Sequence, residues 1–420
     1  MIRLLYSTAL HVLSPFQFLK LWRRGRKLPA YRQRWGERLA LFPPLEGQPR
    51  IWLHAVSVGE TIAAAPLVRQ ILQDYPNHRL LVTSTTPTGS AQVQRLFGNS
   101  VEHIYFPYDL PGTIRRFLHK TRPALLVVME TELWPNCFHH CRQQDIPVII
   151  ANARLSLHSF DGYRKFLRLV TPTLQNTHRI AAQTPTDRDR FICLGADAER
   201  VINCGNIKFD IQDDEQAAKA GAELREAIGK HRPVWIAAST HEGEEEIILE
   251  AHQQLLEKHA DALLILVPRH PERFDIVGDL CRKNQLSTRR RSLNELPGND
   301  TAVYLGDTMG ELMKLYAAAD IAFIGGSFNQ TGGHNPLEPA SLALPVLTGP
   351  TIHNFTDIFK TLEIAGSAEI IEQRDILSKR LTALFDNDKT KTQMGKRGRE
   401  VIEAHRGATA RIMALVREAL

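Results

Sequence analysis

The chain has 420 residues, more than one ordinary hydrophobic core accommodates, so two domains are expected. Its composition, 43% hydrophobic and 23% charged, is that of a soluble globular protein. The net charge of +6 is concentrated rather than spread: residues 1–38 carry nine Lys/Arg against Glu37 alone, so the other 382 residues sum to −2, which excludes a generally basic protein and gives no footing for nucleic acid.

The first predicted element is a helix in "MIRLLYSTALHVLSPFQFLKLWRRGRK". Leu5, Ala9, Val12, Phe16 and Leu19 recur at four-three-four-three spacing and share one face; Ser7, His11, Ser14 and Gln17 occupy another. Polar residues and Pro15 make it a poor membrane span. An interfacial helix held on anionic lipid by the following "RRGRK" accounts for the pattern, with a core helix and a solvated basic tail as the alternative. No small-residue cleavage site follows, so a signal peptide is not expected, and the basic flank places the body on the cytoplasmic side.

From "IWLHAV" onward strand-like and helix-like runs alternate: "RLLVTST", "ALLVVME", "PVIIANA", "RIAAQT" and "VINCGNIKF", each separated by a helical pattern. Such alternation predicts a parallel sheet with helices on both faces. Near residue 211 the polar "DIQDDEQAAKAGAELREAIGKHRP" reads as a linker and a helix, and then the pattern restarts. "WIAASTHEGE", its helix and "ALLILVP" echo "WLHAVSVGE", its helix and "RLLVTST". Three segments follow: residues 1–30 as anchor helix and basic flank, 31–210 as one α/β domain and 211–420 as a second. Ligands in such sheets lie beyond the carboxyl ends of the strands, and two domains facing each other would share a cleft.

The candidate site residues stand at those strand ends. Glu60 closes "SVGE"; it is either a site carboxylate or a plain helix-dipole partner. Glu130 and Glu132 follow a wholly apolar strand in "METELWPN", and would face the same way if the strand continued. Lys208, in "CGNIKFD", is a phosphate-binding cation or an interdomain ion-pair partner. In the second half three loops converge. "LVPRHPERF" presents Arg269 and His270. "LGDTMGELMKLY" presents Thr308, Met309 and Gly310, with Glu311 expected in the first helical turn. "IGGSFNQTGGHNPLEPA" offers Gly325, Gly326, Gly332 and Gly333, then Asn335 as an N-cap, Pro336 at the first helical position, and Glu338 as an acceptor for ribose hydroxyls. The five cysteines are scattered, odd in number and lack zinc spacing, so free thiols are expected and no metal. There is no GxxxxGK[ST], no GxGxxG opening a helix, no HExxH and no GxSxG.

These stretches together, "RWGERL", "WLHAVSVGE", "ETELWPN", "NARLS", "GNIKFD", "PRHPERF", "GDTMGEL" and "GGHNPLEPA", resemble the 3-deoxy-D-manno-octulosonic acid (Kdo) transferases of Gram-negative bacteria over essentially the whole chain. The resemblance implies two Rossmann-like domains of GT-B type facing a cleft, CMP-Kdo as donor, a lipid A precursor as acceptor, and attachment to the cytoplasmic face of the inner membrane through the N-terminal helix. No cofactor is implied. It implies Glu60 as general base, with Glu130 and Lys208 assisting the transition state. It places the CMP contacts at Pro268, Arg269, Met309, Gly310, Glu311, Asn335, Pro336, Leu337 and Glu338. Two other classes share features of the chain: hydrolysing nucleotide-sugar epimerases of the same fold, which need no anchor, and a non-catalytic lipid A-binding membrane protein. No motif encodes how many Kdo residues are added.

Overall fold

A computed structural model of the chain describes residues 2–211 and 214–420. It divides into two compact units, Met1–Asp210 with His405–Leu420, and Ile211–Ala404.

The first unit is built on seven parallel strands: β1 Arg50–His54, β2 Arg79–Ser84, β3 Glu102–Tyr105, β4 Pro123–Met129, β5 Val148–Ala153, β6 Arg179–Ala182 and β7 Val201–Asn203. Their order is β3-β2-β1-β4-β5-β6-β7, so the winding reverses between β1 and β4. The strands are apolar at nearly every position because both faces are covered. Ile51, Leu53, Leu125 and Val127 bury into one core, Trp52, Leu81, Leu126 and Val128 into the other. His54 lies wholly inside this packing, its ring 4.0 Å from that of Phe106, and burial pushes its pKa down to about 3, which makes it a neutral core residue.

The strand expected through "VINCGNIKF" stops at Asn203 and gives way to a 3-10 turn, Ile207–Phe209. The last sixteen residues also depart from expectation. Placed with the second domain by the 211–420 boundary, they pack instead on the first unit: the helix Ala408–Ala419 buries Ile412, Met413 and Val416 into the same core as β1 and β4. Asp210 receives the N–H groups of Gly407 at 2.6 Å and Thr409 at 2.5 Å, which satisfies donors at the start of that helix.

The N-terminal helix Ile2–Arg24 docks through a mixed face of polar and apolar residues, and of the predicted polar face Ser7 is buried while His11 and Gln17 are exposed. Ser7 and Leu21 are buried, Tyr6 donates to Asp109 at 3.0 Å, Arg3 to Asn136 at 2.9 Å, and Phe18 packs against Trp35 and Tyr108. The predicted apolar stripe points away: Leu5, Ala9, Val12, Phe16 and Leu19 are all exposed, Val12 and Phe16 at 65%. The helix is therefore not a core helix with a solvated tail. Among the described residues no helix is long and apolar enough to cross a membrane.

The second unit repeats the plan with β8 Val234–Thr240, β9 Leu263–Pro268, β10 Thr288–Arg290, β11 Val303–Leu305, β12 Ile321–Ile324, β13 Val346–Thr348 and β14 Ala368–Ile370. All are parallel, in the order β10-β11-β9-β8-β12-β13-β14, with the reversal between β8 and β12.

Candidate active site

In the first unit the chemistry gathers at the carboxyl ends of β1 and β4, the point of reversal where open α/β sheets bind ligands. Ser57 caps the short helix Val58–Ala63, accepting from the Glu60 N–H at 3.3 Å. The Glu60 carboxylate in turn accepts from Val56 N–H at 2.7 Å and Ser57 Oγ at 3.0 Å. This Ser-x-x-Glu reciprocity is a variant of the capping box, legible in "SVGE" but not read there. Glu60 thus has a structural role beside any chemical one.

Glu130 and Glu132 join Glu60. The strand does not continue past Met129, so the expected alternation fails; Glu130 instead adopts φ +56° and turns the chain at the strand end. Burial raises the Glu60 carboxyl to about 7, helped by the charge of Glu130 and opposed by the bonds from Val56 and Ser57. Burial, then Glu60 and Glu130, raise Glu132 to about 7 as well. Burial first, and then repulsion within the cluster, let Glu60 and Glu132 hold a proton near neutrality. Burial, then the charge of Glu132, raise the pKa of the Tyr163 hydroxyl.

Lys208 sits on the 3-10 turn after β7, yet the turn is drawn back over β6: Ile207 N–H donates to Asn152 Oδ1, at the end of β5, at 3.0 Å. Asn206 accepts from the Lys208 N–H at 3.0 Å. Asn152 is wholly buried at φ +55°, a conformation that asparagine tolerates, and no pattern in the sequence announces it.

In the second unit the predicted loops lie at the carboxyl ends of β8, β9, β11 and β12. Pro268 ends β9, and the Arg269 N–H donates to Thr240 O at 2.9 Å, tying the β9 loop to β8. Gly325 is required sterically, since a Cβ there would lie 2.7 Å from Ser239 O. Gly326 has φ +70° and lies under the His334 ring. The helix that follows is only five residues, Leu337–Ser341, with Pro336 at the cap, one position later than expected. Asn335 Oδ1 still accepts from Leu337 N–H at 3.1 Å, the capping bond itself. Asn335 also donates to Glu338 at 3.2 Å. Burial raises the Glu338 carboxyl, while Asn335 and Arg269 hold it down.

Glu311 is the cap of the helix Leu312–Ala317 rather than a first-turn residue. Burial opposes its charge, but Arg291 at 2.9 Å, Thr308 and Lys314 at 3.1 Å hold the carboxyl down at about 2. These bonds fix the loop that exposes Met309 and Gly310.

Three further residues escaped the sequence reading. Glu244 is fully buried and accepts from the N–H groups of His241, Gly326, Ser327 and Phe328 at 2.6–3.0 Å, so it clamps the glycine-rich loop to the end of β8. In the internal echo it stands where Glu60 stands in the first half. His241 and His334 meet through their Nε2 atoms at 2.8 Å. Among the described residues no group of three or more His, Cys, Asp or Glu is arranged to hold a metal ion.

Two doubly wound parallel sheets in tandem, with a carboxylate cluster at one reversal and a glycine-rich loop at the other, are the framework of a GT-B glycosyltransferase. The fold is shared with the UDP-GlcNAc 2-epimerase of Neisseria meningitidis, solved with UDP-GlcNAc, at TM-score 0.58 and 15% identity over 88% of this chain and 100% of that one. Residues 231–401 match the family "Glycosyl transferases group 1", and residues 33–211 match "3-Deoxy-D-manno-octulosonic-acid transferase (kdotransferase)". The 3-deoxy-D-manno-octulosonic acid transferase of Haemophilus influenzae is 44% identical over 99% of this chain and 98% of its own length; that of Bordetella pertussis is 36% identical over 97% of each. The chain belongs to the Kdo transferase family.

Proposed function

We propose that this Kdo transferase moves Kdo from CMP-Kdo to a lipid A precursor of the lipid IVA type, with inversion, at the cytoplasmic face of the inner membrane. The first unit supplies the acceptor side and the base; the second holds the donor. The observation that carries the reading is the carboxylate cluster, in which Glu60 is held near neutrality at the end of β1. A base of that strength is matched to a hydroxyl attacked at neutral pH. Glu60 takes the proton of the acceptor hydroxyl as its oxygen bonds to the anomeric carbon. The bond from that carbon to the phosphate oxygen breaks, and CMP leaves with the electron pair. Lys208 offsets charge as it develops on the phosphate, and Glu130 favours the oxocarbenium-like centre. Pro268, Arg269, Met309, Gly310, Glu311 and Asn335 through Glu338 form the CMP side. The outward apolar stripe of the N-terminal helix, followed by Arg23, Arg24, Arg26 and Lys27, supports the membrane assignment.

The test is transfer of Kdo from CMP-Kdo to the tetraacyl disaccharide precursor, beside CMP-Kdo hydrolysis without acceptor, with mass spectrometry counting the residues added. Hydrolysis unaffected by acceptor, with no glycosylated lipid formed, would defeat the proposal.

A further inference from the structure

The paired histidines of the second unit occupy the place where its sheet reverses. His241 follows β8 directly, and His334 follows the glycine-rich loop after β12, the two strands between which the winding changes direction. Their rings are nearly parallel, 3° apart, and the Nε2 atoms are 2.8 Å apart. That contact requires a shared proton: one ring donates Nε2–H, and the other accepts with its lone pair. The donating ring then has an unprotonated Nδ1, which is the one basic position left on the pair. His270, after β9, packs edge-on against His241 at 5.1 Å.

The backbone is shaped around this arrangement. A Cβ at Gly326 would come within 3.0 Å of His334 Cδ2 and 3.1 Å of Nε2, and the residue holds φ +70°, so a side chain there would be strained and would push against the ring. Glu244 holds the His241 N–H and the Gly326 N–H with the same oxygen, at 3.0 and 2.6 Å, and so fixes both loops relative to each other.

Charged groups face the pair from two loops. From its own loop comes Glu244, whose carboxylate is saturated by four N–H groups. From the β9 loop come Arg269, His270 and Arg273, the last paired to Glu245 at 3.0 Å. Burial first, then His241, Arg269 and His270, push His334 down to about 4; burial lowers His241, opposed by Glu244 and helped by His270, Arg269 and Arg273. The free pair is therefore uncharged at neutral pH, with the Arg269 guanidinium beside it.

We propose that the His241–His334 pair is a proton-accepting anion subsite: it binds an anionic oxygen group of the donor, phosphate or carboxylate, by taking up one proton. The proton enters at the free Nδ1 of the donating ring. The resulting imidazolium keeps its Nε2–H bond to the partner ring, now charge-assisted and stronger. The anion offsets the burial and the Arg269 charge that together keep the free pair neutral. Departing CMP, which gains charge on its phosphate, would meet a cation formed by its own arrival. This rests on the second unit being the donor side, as proposed above.

Linkage sets the sign. The bound state holds one more proton than the free state, so raising the pH weakens binding, and full uptake gives a slope approaching tenfold per pH unit. The test is calorimetric titration of the full chain with CMP, cytidine and free Kdo at pH 7.5, in two buffers of different ionisation enthalpy. Proton uptake on binding CMP or Kdo, but not cytidine, is expected, and the ligand showing it identifies phosphate or carboxylate as the group. His241→Gln and His334→Gln should each abolish the uptake and flatten the pH slope. Wild-type protein that binds CMP and Kdo without uptake on either overturns the subsite and leaves the donor-side reading standing. Uptake that persists in both variants does the same. Failure of CMP to bind at all overturns both.

Discussion

Glu60 and Glu244 occupy matching positions in two echoing halves and have opposite fates. Glu244 is fully buried with four N–H donors around it, an anion spent on holding a loop. Glu60 has two bonds and two like-charged neighbours, and its proton affinity rises. Replacing Glu60 by glutamine keeps an acceptor for the Val56 N–H and removes the base. Transfer should fall by ~10²–10⁴ while CMP affinity and the melting temperature hold. A glutamine variant retaining over half the wild-type rate would end the assignment. The pH profile is a second check. Because the proposed base must be unprotonated and the Glu60 pKa is raised, the rate should climb with pH to a plateau above about 7, not above the usual carboxylate range. Glu60 and Glu132 interact, so the limb belongs to the cluster rather than to one residue. Glu130→Gln removes a repelling charge and should move the limb toward lower pH, whatever it does to the plateau. A limb unmoved in that variant would separate Glu130 from the base.

At the scale of the element, the N-terminal helix shows how one sequence serves two surfaces. Three of its residues reach inward to the start of the helix Pro135–Gln143: Tyr6 donates to Asp109, which also accepts from the Asn136 and Cys137 N–H groups, and Arg3 and Ser7 donate to Asn136. Deleting the whole helix would strip those bonds, so anchoring is better tested on the outward stripe. Val12→Glu with Phe16→Glu should leave stability within ~0.5 kcal/mol per site, since neither side chain is buried. The variant should fail to sediment with anionic vesicles, while wild-type protein sediments at low salt. Equal sedimentation of both proteins would refute the lipid-facing role. The turn carrying Lys208 is likewise an element set by others: Asn152 pulls it over β6, and Asp210 joins its end to the C-terminal helix. Lys208→Ala should lower kcat with little change in CMP affinity; a change in melting temperature alone would mark the lysine as structural.

At the scale of the molecule, the chain leaves the first unit at residue 211 and returns to it at 405. The return closes one face of the first sheet with Ile412, Met413 and Val416. Ile412 is completely buried, so Ile412→Ala should cost about 2–5 kcal/mol in the first unit. CMP binding at low temperature should be unaffected, because every CMP residue proposed lies between 241 and 338, in the second unit. Thermal unfolding with an unchanged first transition would show that the last helix is not part of that core.

What the sequence by itself determined is the part that local chemistry specifies. Apolar runs of strand length, alternating with helical patterns, define doubly covered parallel sheets wherever they occur, and their repetition makes two. Glycine and asparagine loops before short helices mark the strand ends, and the motifs there carry the family. Tertiary structure decided the rest, because it depends on residues far apart in the chain. Glu60 and Glu132 are 72 positions apart, and their raised pKa values exist only where β1 and β4 are neighbours. His241 and His334 meet because the sheet reverses between β8 and β12. The final helix belongs to the first core because its apolar face fits there, a choice that periodicity cannot express. An amphipathic pattern states that a helix has an apolar side; whether that side is buried, as in Ala408–Ala419, or exposed, as in Ile2–Arg24, is settled by what the folded chain presents to it.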